Sequence, residues 1–225
     1  MNHRTSTLRT LAVPIGAVAA CAALLLGAPR DARALPILSE VLYDAAGSDD
    51  GSVFVELHGT PGESLDGLRI EGVNGAGGDV TVTIALSGAI AADGFFVLAD
   101  VTGGGVTFVA GADQLANFDF QNGPDSLLLR SETTVLDALG YGVFTPAQVF
   151  AGEGAAAPDP AAGSSLARRF ADIDTGDNAA DFVVLATPTP GSGPVFGVPE
   201  PGGVALLGGA VLAWLPFGSS RKREV

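Results

Sequence analysis

The sequence predicts an all-β sandwich between residues 35 and 191, and three observations carry that prediction. Short apolar runs recur at roughly 10–15-residue intervals, each closed by Gly, Asp, Asn or Pro, which is how strands and turns succeed one another in sandwiches and barrels. Inside the best of these runs, apolar and polar residues alternate with a period of two. No stretch of the region sustains a 3.6-residue apolar period over three turns.

The elements follow in order. "ILSEVLY" (37–43) opens the body and stops at the Gly/Ser/Asp loop that holds Asp49-Asp50. "SVFVELH" (52–58) places Val53, Val55 and Leu57 on one face and Phe54, Glu56 and His58 on the other. "LRIEGV" (68–73), "VTVTIAL" (80–86) and "FFVLAD" (95–100) come next, separated by glycine-containing turns. "SLLLR" (126–130), "VLDALGY" (135–141), "SLARRF" (165–170) and "DFVVLA" (181–186) complete the set. Residues 151–163, "AGEGAAAPDPAAG", read as a low-complexity loop, because Gly and Pro interrupt the alanines. From "TPTPGSGPVFG" (187–197) composition reads as a Pro/Gly linker, taken to cover 192–201 once the sandwich has closed.

Charge separates this body from its ends. The chain carries −14 in total. Setting aside seven bases and three acids in residues 1–34 and 199–225 leaves four arginines against 22 acids, or −18, with no lysine in the body. Such a surface repels phosphate backbones and argues against nucleic acid as a partner. The single cysteine, Cys21, lies outside the body, which therefore has no disulfide, thiolate metal site or cysteine nucleophile.

Both ends read as addresses. Residues 1–34 have the form of a secretory signal peptide: Arg4 and Arg9, an apolar run from Leu11 to Gly27, and an Ala32-Arg33-Ala34 cleavage site before Leu35. A retained anchor and lipidation at Cys21, after Val18-Ala19-Ala20, are the alternatives. At the other end, Gly202 to Phe217 is 16 residues without charge, about 24 Å as a helix against a hydrocarbon core of ~30 Å. Residues 202–220 are expected to enter the membrane with Trp214 and Phe217 at the interface. Arg221, Lys222 and Arg223, in residues 221–225, would then stay cytoplasmic. A buried core helix is the alternative for the apolar run.

Pro199-Glu200-Pro201, the apolar segment and the basic tail together resemble the PEP-CTERM sorting signal of bacterial exported proteins. The resemblance implies processing by an integral membrane exosortase that recognises Pro199, Glu200 and Pro201, after handling by export machinery and signal peptidase. The body resembles the lamin tail domain of exported bacterial proteins. The resemblance rests on "FVELHG" with Phe54, Glu56 and Leu57, "LDGLRIEG" with Leu68, "DGFFVLAD", "FQNGPDSLLLR" and "VLDALGYG". A closing stretch adds Asp174-Thr175, Asn178, Asp181-Phe182 and Thr189-Pro190-Gly191. It implies an immunoglobulin-like β-sandwich and a non-catalytic interaction or structural role, with matrix polysaccharide or envelope proteins as partners.

Three chemical readings accompany that expectation. His58 is the body's sole histidine, so a secreted hydrolase would need it with Asp44 or Ser52, yet no G-x-S-x-G elbow surrounds any serine. Glu56, flanked by apolar residues, is expected to pair with one of Arg69, Arg130, Arg168 or Arg169, because an unpaired buried charge is costly. "ADIDTGDNAAD" offers Asp172, Asp174, Asp177 and Asn178 as hard oxygen ligands for Ca²⁺, the basis of a Ca²⁺-dependent ligand-binding alternative. Its spacing departs from an EF-hand, with Gly176 at the fifth position and no Glu at the twelfth. The competing reading is a loop whose Asx side chains cap their own backbone.

Overall fold

The structure, a computed structural model, describes residues 35–193. Its strands are β1 (Ile37–Leu42), β2 (Phe54–His58), β3 (Arg69–Asn74), β4 (Val80–Ala85), β5 (Phe95–Asp100), β6 (Gln114–Ala116), β7 (Asp125–Arg130), β8 (Val135–Tyr141), β9 (Ser165–Arg168) and β10 (Phe182–Leu185). A one-turn helix, α1 (Asn178–Asp181), precedes β10. Six strands form one sheet in the order β10-β9-β1-β2-β5-β6, and four form the other in the order β4-β3-β7-β8. Pairing is antiparallel except where β6 runs parallel to β5.

The alternation read in residues 52–58 holds. Val53, Val55 and Leu57 point into the core, where they join Leu38 and Leu98 of the larger sheet and Ile70, Leu127, Leu129 and Leu139 of the smaller. One apolar cluster thus spans both sheets, which makes the body a two-sheet β-sandwich. Tyr43 and Tyr141 stack across it with ring centroids 4.1 Å apart.

The outer faces are covered as well. On the larger sheet, Leu42, Phe54 and Val97 form a second buried cluster against Val109. On the smaller sheet, Val73, Leu128 and Ala138 pack against Ala151. Residues 142–164 are a loop, as composition indicates, but a packed one: Ala151 N–H donates to Ser126 Oγ at 3.1 Å. A Cβ at Gly140 would overlap the Phe150 ring, so the loop's approach requires glycine there.

Two elements carry no signal that periodicity could register. β6 has three residues and α1 has four, each shorter than the run over which a strand or helix period can be read. The stretch from residue 187 differs from its linker-like composition: it lies against the larger sheet as far as Gly193, where a Cβ would sit 2.8 Å from the Phe95 ring. Among the described residues no helix is long and apolar enough to cross a membrane. Residues 1–34 and 202–220, the segments expected to meet a membrane, lie outside the described residues.

Candidate functional site

Two features of the sandwich bear on function, and the strap 187–193 belongs to the first. Glu40 on β1 and Glu56 on β2 are cross-strand partners, and neither side chain is exposed. Glu40 Oε1 accepts from Thr189 N–H at 2.9 Å and from Ser165 Oγ at 2.6 Å, while Oε2 accepts from Thr189 Oγ1 at 2.6 Å. Glu56 Oε2 accepts from Gly191 N–H at 2.6 Å, and its Oε1 is bonded to the Ser39 hydroxyl. The two carboxyl groups thereby hold Thr189-Pro190-Gly191 onto the sheet. Burial pushes the Glu56 carboxyl up to about 7, against the pull of Ser39 and Gly191 and with help from the charges of Glu40 and Asp93.

The expected Glu56–arginine pair does not form. Arg69 and Arg130 both bind Glu71, at 2.6 and 3.1 Å. Burial tends to raise the Glu71 carboxyl, but the two guanidinium groups outweigh it and hold Glu71 below its ordinary value. Arg168 serves other acids, and Arg169 Nε donates to Ala180 O at 2.9 Å. Glu56 is satisfied instead by a hydroxyl and a backbone N–H, donors that no count of charged residues registers.

Beside the strap lies a groove of about 550 Å³. Leu42 and Phe54 form its floor, Phe108 and Val109 one wall, and Pro188 and Pro190 the other. Among the described residues no charged one lines it, although the body carries −18. Phe108 is 71 % exposed at the rim.

The second feature is an ionic cluster where β8, β9 and the 172–181 loop meet. Arg168 is fully buried, lies 4.6 Å from the Phe182 ring centroid, and donates through Nε to Leu38 O at 2.9 Å. Its Nη2 meets Asp137 and its Nη1 meets Asp181, each at 2.9 Å, with Asp174 at 3.4 Å. Glu153 joins from the 142–164 loop: one carboxylate oxygen each from Asp137, Glu153 and Asp174 falls within 4.8 Å of the others. Glu153 Oε2 is buried without a hydrogen-bond partner. Burial, and then the charges of Asp137 and Asp174, push the Glu153 carboxyl up to about 7. Burial also raises Asp137, partly offset by Arg168.

Of the four residues read as possible Ca²⁺ ligands, only Asp174 reaches this cluster. Asn178 is buried and turned inward: Oδ1 accepts from the N–H groups of Gly140 and Glu153 at 2.8 and 2.9 Å, and Nδ2 donates to Ala138 O at 2.8 Å. Asp177 caps α1, its Oδ1 accepting from Ala179 N–H at 3.1 Å and Ala155 N–H at 3.2 Å. Asp172 is exposed on the loop. Asp137 and Glu153 escape sequence reading for different reasons. Glu153 lies in the low-complexity stretch. Asp137 had one available signal, an acid among apolar residues in "VLDALGY".

His58 packs edge-on against Phe95, with ring centroids 5.1 Å apart, and its side chain makes no hydrogen bond among the described residues. Burial lowers its pKa, opposed by the charge of Asp172. Asp44 and Ser52 are not brought to it as hydrogen-bond partners; Ser52 lines the groove. Leu35 is exposed at the start of the described residues. Ala32, Ala34, Pro199, Glu200, Pro201, Arg221, Lys222 and Arg223 lie outside them. No family model, curated protein or solved structure matches the chain.

Proposed function

We propose that the body is a non-catalytic interaction or structural module of exported proteins, an immunoglobulin-like sandwich of lamin-tail type delivered by a signal peptide (1–34). In this reading a PEP-CTERM ending holds it at the membrane: the 192–201 linker, the 202–220 span and the 221–225 basic tail, with exosortase acting at Pro199-Glu200-Pro201. After processing the body stands at the cell surface or outside the cell. The observation that supports this best is the uncharged groove beside Phe108 on an otherwise anionic body, since an exposed apolar patch rimmed by polar surface marks an interaction site. Two tests apply. Mass spectrometry of the mature protein should find an N-terminus at Leu35 and a C-terminus near Pro199; intact termini would defeat the sorting half. Binding to envelope extract or matrix polysaccharide should be lost in Phe108→Ser; equal binding by the variant would defeat the groove half.

Ca²⁺-dependent ligand binding is the second reading, favoured by the approach of Asp137, Glu153 and Asp174. An ion that binds the folded state selectively must raise the melting midpoint. An unchanged midpoint at millimolar Ca²⁺ would retire it.

A further inference from the structure

We propose that Glu40 and Glu56 form a proton-dependent latch that fastens the strap 187–193, and with it one wall of the apolar groove, to the larger sheet. The geometry is unusual in its charge. Two acids sit directly opposite each other on neighbouring strands, both are fully buried, and among the described residues no arginine, lysine or histidine bonds to either. Burial disfavours the charged form of Glu56, and the Glu40 charge on the facing strand adds to that, so Glu56 holds its proton more tightly than an exposed carboxyl would.

The hydrogen-bond pattern says which acid carries it. Glu40 has three partners, Thr189 N–H, Thr189 Oγ1 and Ser165 Oγ, against two for Glu56. Glu56 receives one obligate donor, Gly191 N–H on Oε2, and on Oε1 meets the Ser39 hydroxyl, which can donate or accept. In the carboxylate form the Ser39 hydroxyl donates to Oε1; a proton on Oε1 turns that bond round, Ser39 Oγ accepting, while the Gly191 bond is kept. Loss of that proton leaves a second negative charge beside Glu40, held by contacts to the strap. Burial pushes Glu56 up to about 7, which puts the change near neutral pH.

The surroundings supply no counter-charge. Around the pair, β5 presents Val97 and Phe95, β9 presents Ser165 and Ala167, and β10 presents Val183. The strap contributes Thr189 and Gly191. Asp93, before β5, adds a further negative charge that bears on Glu56. His58, two residues along the same face of β2, is held toward its neutral form by burial. Opening the strap withdraws Pro188 and Pro190 from the groove and exposes Leu42 and Phe54.

Hydrogen exchange on the full-length chain in mild detergent tests this, with each rate corrected for the intrinsic pH dependence of exchange. The Thr189 and Gly191 amides should lose at least about tenfold protection between pH 5.5 and 8.5, one pKa unit of linkage being tenfold. Core amides of β2 and β7 should change less. In Glu56→Gln, which cannot gain the charge, strap protection should be the same at both pH values. Constant protection in the unsubstituted chain overturns the latch, and so does a pH-dependent loss that persists in Glu56→Gln. Should that variant fail to fold, Glu56→Leu decides: with no titratable group at the position, strap protection must again be the same at both pH values, and a pH-dependent loss overturns the proposal.

Discussion

Arg168 Nη2 and Asp137 Oδ2 lie 2.9 Å apart with neither side chain exposed, and this pair ties β9 of the larger sheet to β8 of the smaller. Asp137 Oδ2 also accepts from Leu38 N–H at 2.6 Å, so a single carboxylate serves both an arginine and the first strand. The bond is a seam between sheets rather than a surface ion pair.

Arg168→Met should therefore destabilise the domain by about 3–5 kcal/mol, because it leaves Asp137 and Asp181 as buried charges without a counter-charge. Denaturant unfolding at neutral pH measures it. A loss under about 1 kcal/mol, typical of exposed pairs, would show that the seam is solvated.

Asn178→Ala removes one side chain that answers three backbone groups, the N–H of Gly140 and Glu153 and the carbonyl of Ala138. An unsatisfied buried group costs about 1–3 kcal/mol, so a loss of at least about 3 kcal/mol is expected. The same variant should leave any Ca²⁺ response unchanged, since Asn178 has no free ligand atom. A melt series with and without Ca²⁺ reads both.

Stability should fall as pH rises through neutrality. Glu56 and Glu153 are both raised from 4.5 to about 7 in the folded state. The folded form binds more protons than the unfolded one between those values, so the contribution is full below 4.5 and lost as pH passes 7. Urea midpoints at pH 5 and pH 8 give the slope. Glu153→Gln should stabilise the pH 8 form by about 1 kcal/mol, the net worth of one hydrogen bond, by replacing a carboxylate whose Oε2 has no partner.

Phe108→Ser should leave stability within about 0.5 kcal/mol, as an exposed substitution away from the core does. Urea unfolding checks this. It also makes any loss of binding in that variant interpretable as loss of contact surface.

How far the sequence discloses this molecule depends on the face considered. Val53, Val55 and Leu57 are legible because the inward face of β2 repeats every second residue, and that period survives any tertiary context. The outward face is not. The sequence sets Phe54, Glu56 and His58 opposite the core without saying what covers them, and Phe54 and Glu56 are both buried. Phe54 packs against Val109, whereas Glu56 is covered by the strap more than a hundred residues away, which announces itself only as Pro and Gly. Glu56 is the clearest case: burial was readable from its apolar neighbours, its partner was not, because a backbone N–H has no signature in a side-chain alphabet. That Asp177 caps its own loop is readable, since Asx side chains in such a loop bond the backbone nearby; that it starts a helical turn is not. Asp137, Arg168 and Glu153 form a cluster only through topology.

The first strand sits in the middle of the larger sheet, flanked by β2 on one side and β9 on the other. Glu40 pairs with Ala167, and Ser165 Oγ bonds to Glu40 across 125 residues. A chain emerging from the ribosome N-terminus first therefore carries β1 with one bare edge through most of its synthesis. Closure waits for a ribbon made almost last, and such distant pairing is slow. The larger sheet therefore cannot close before nearly the whole body has been made.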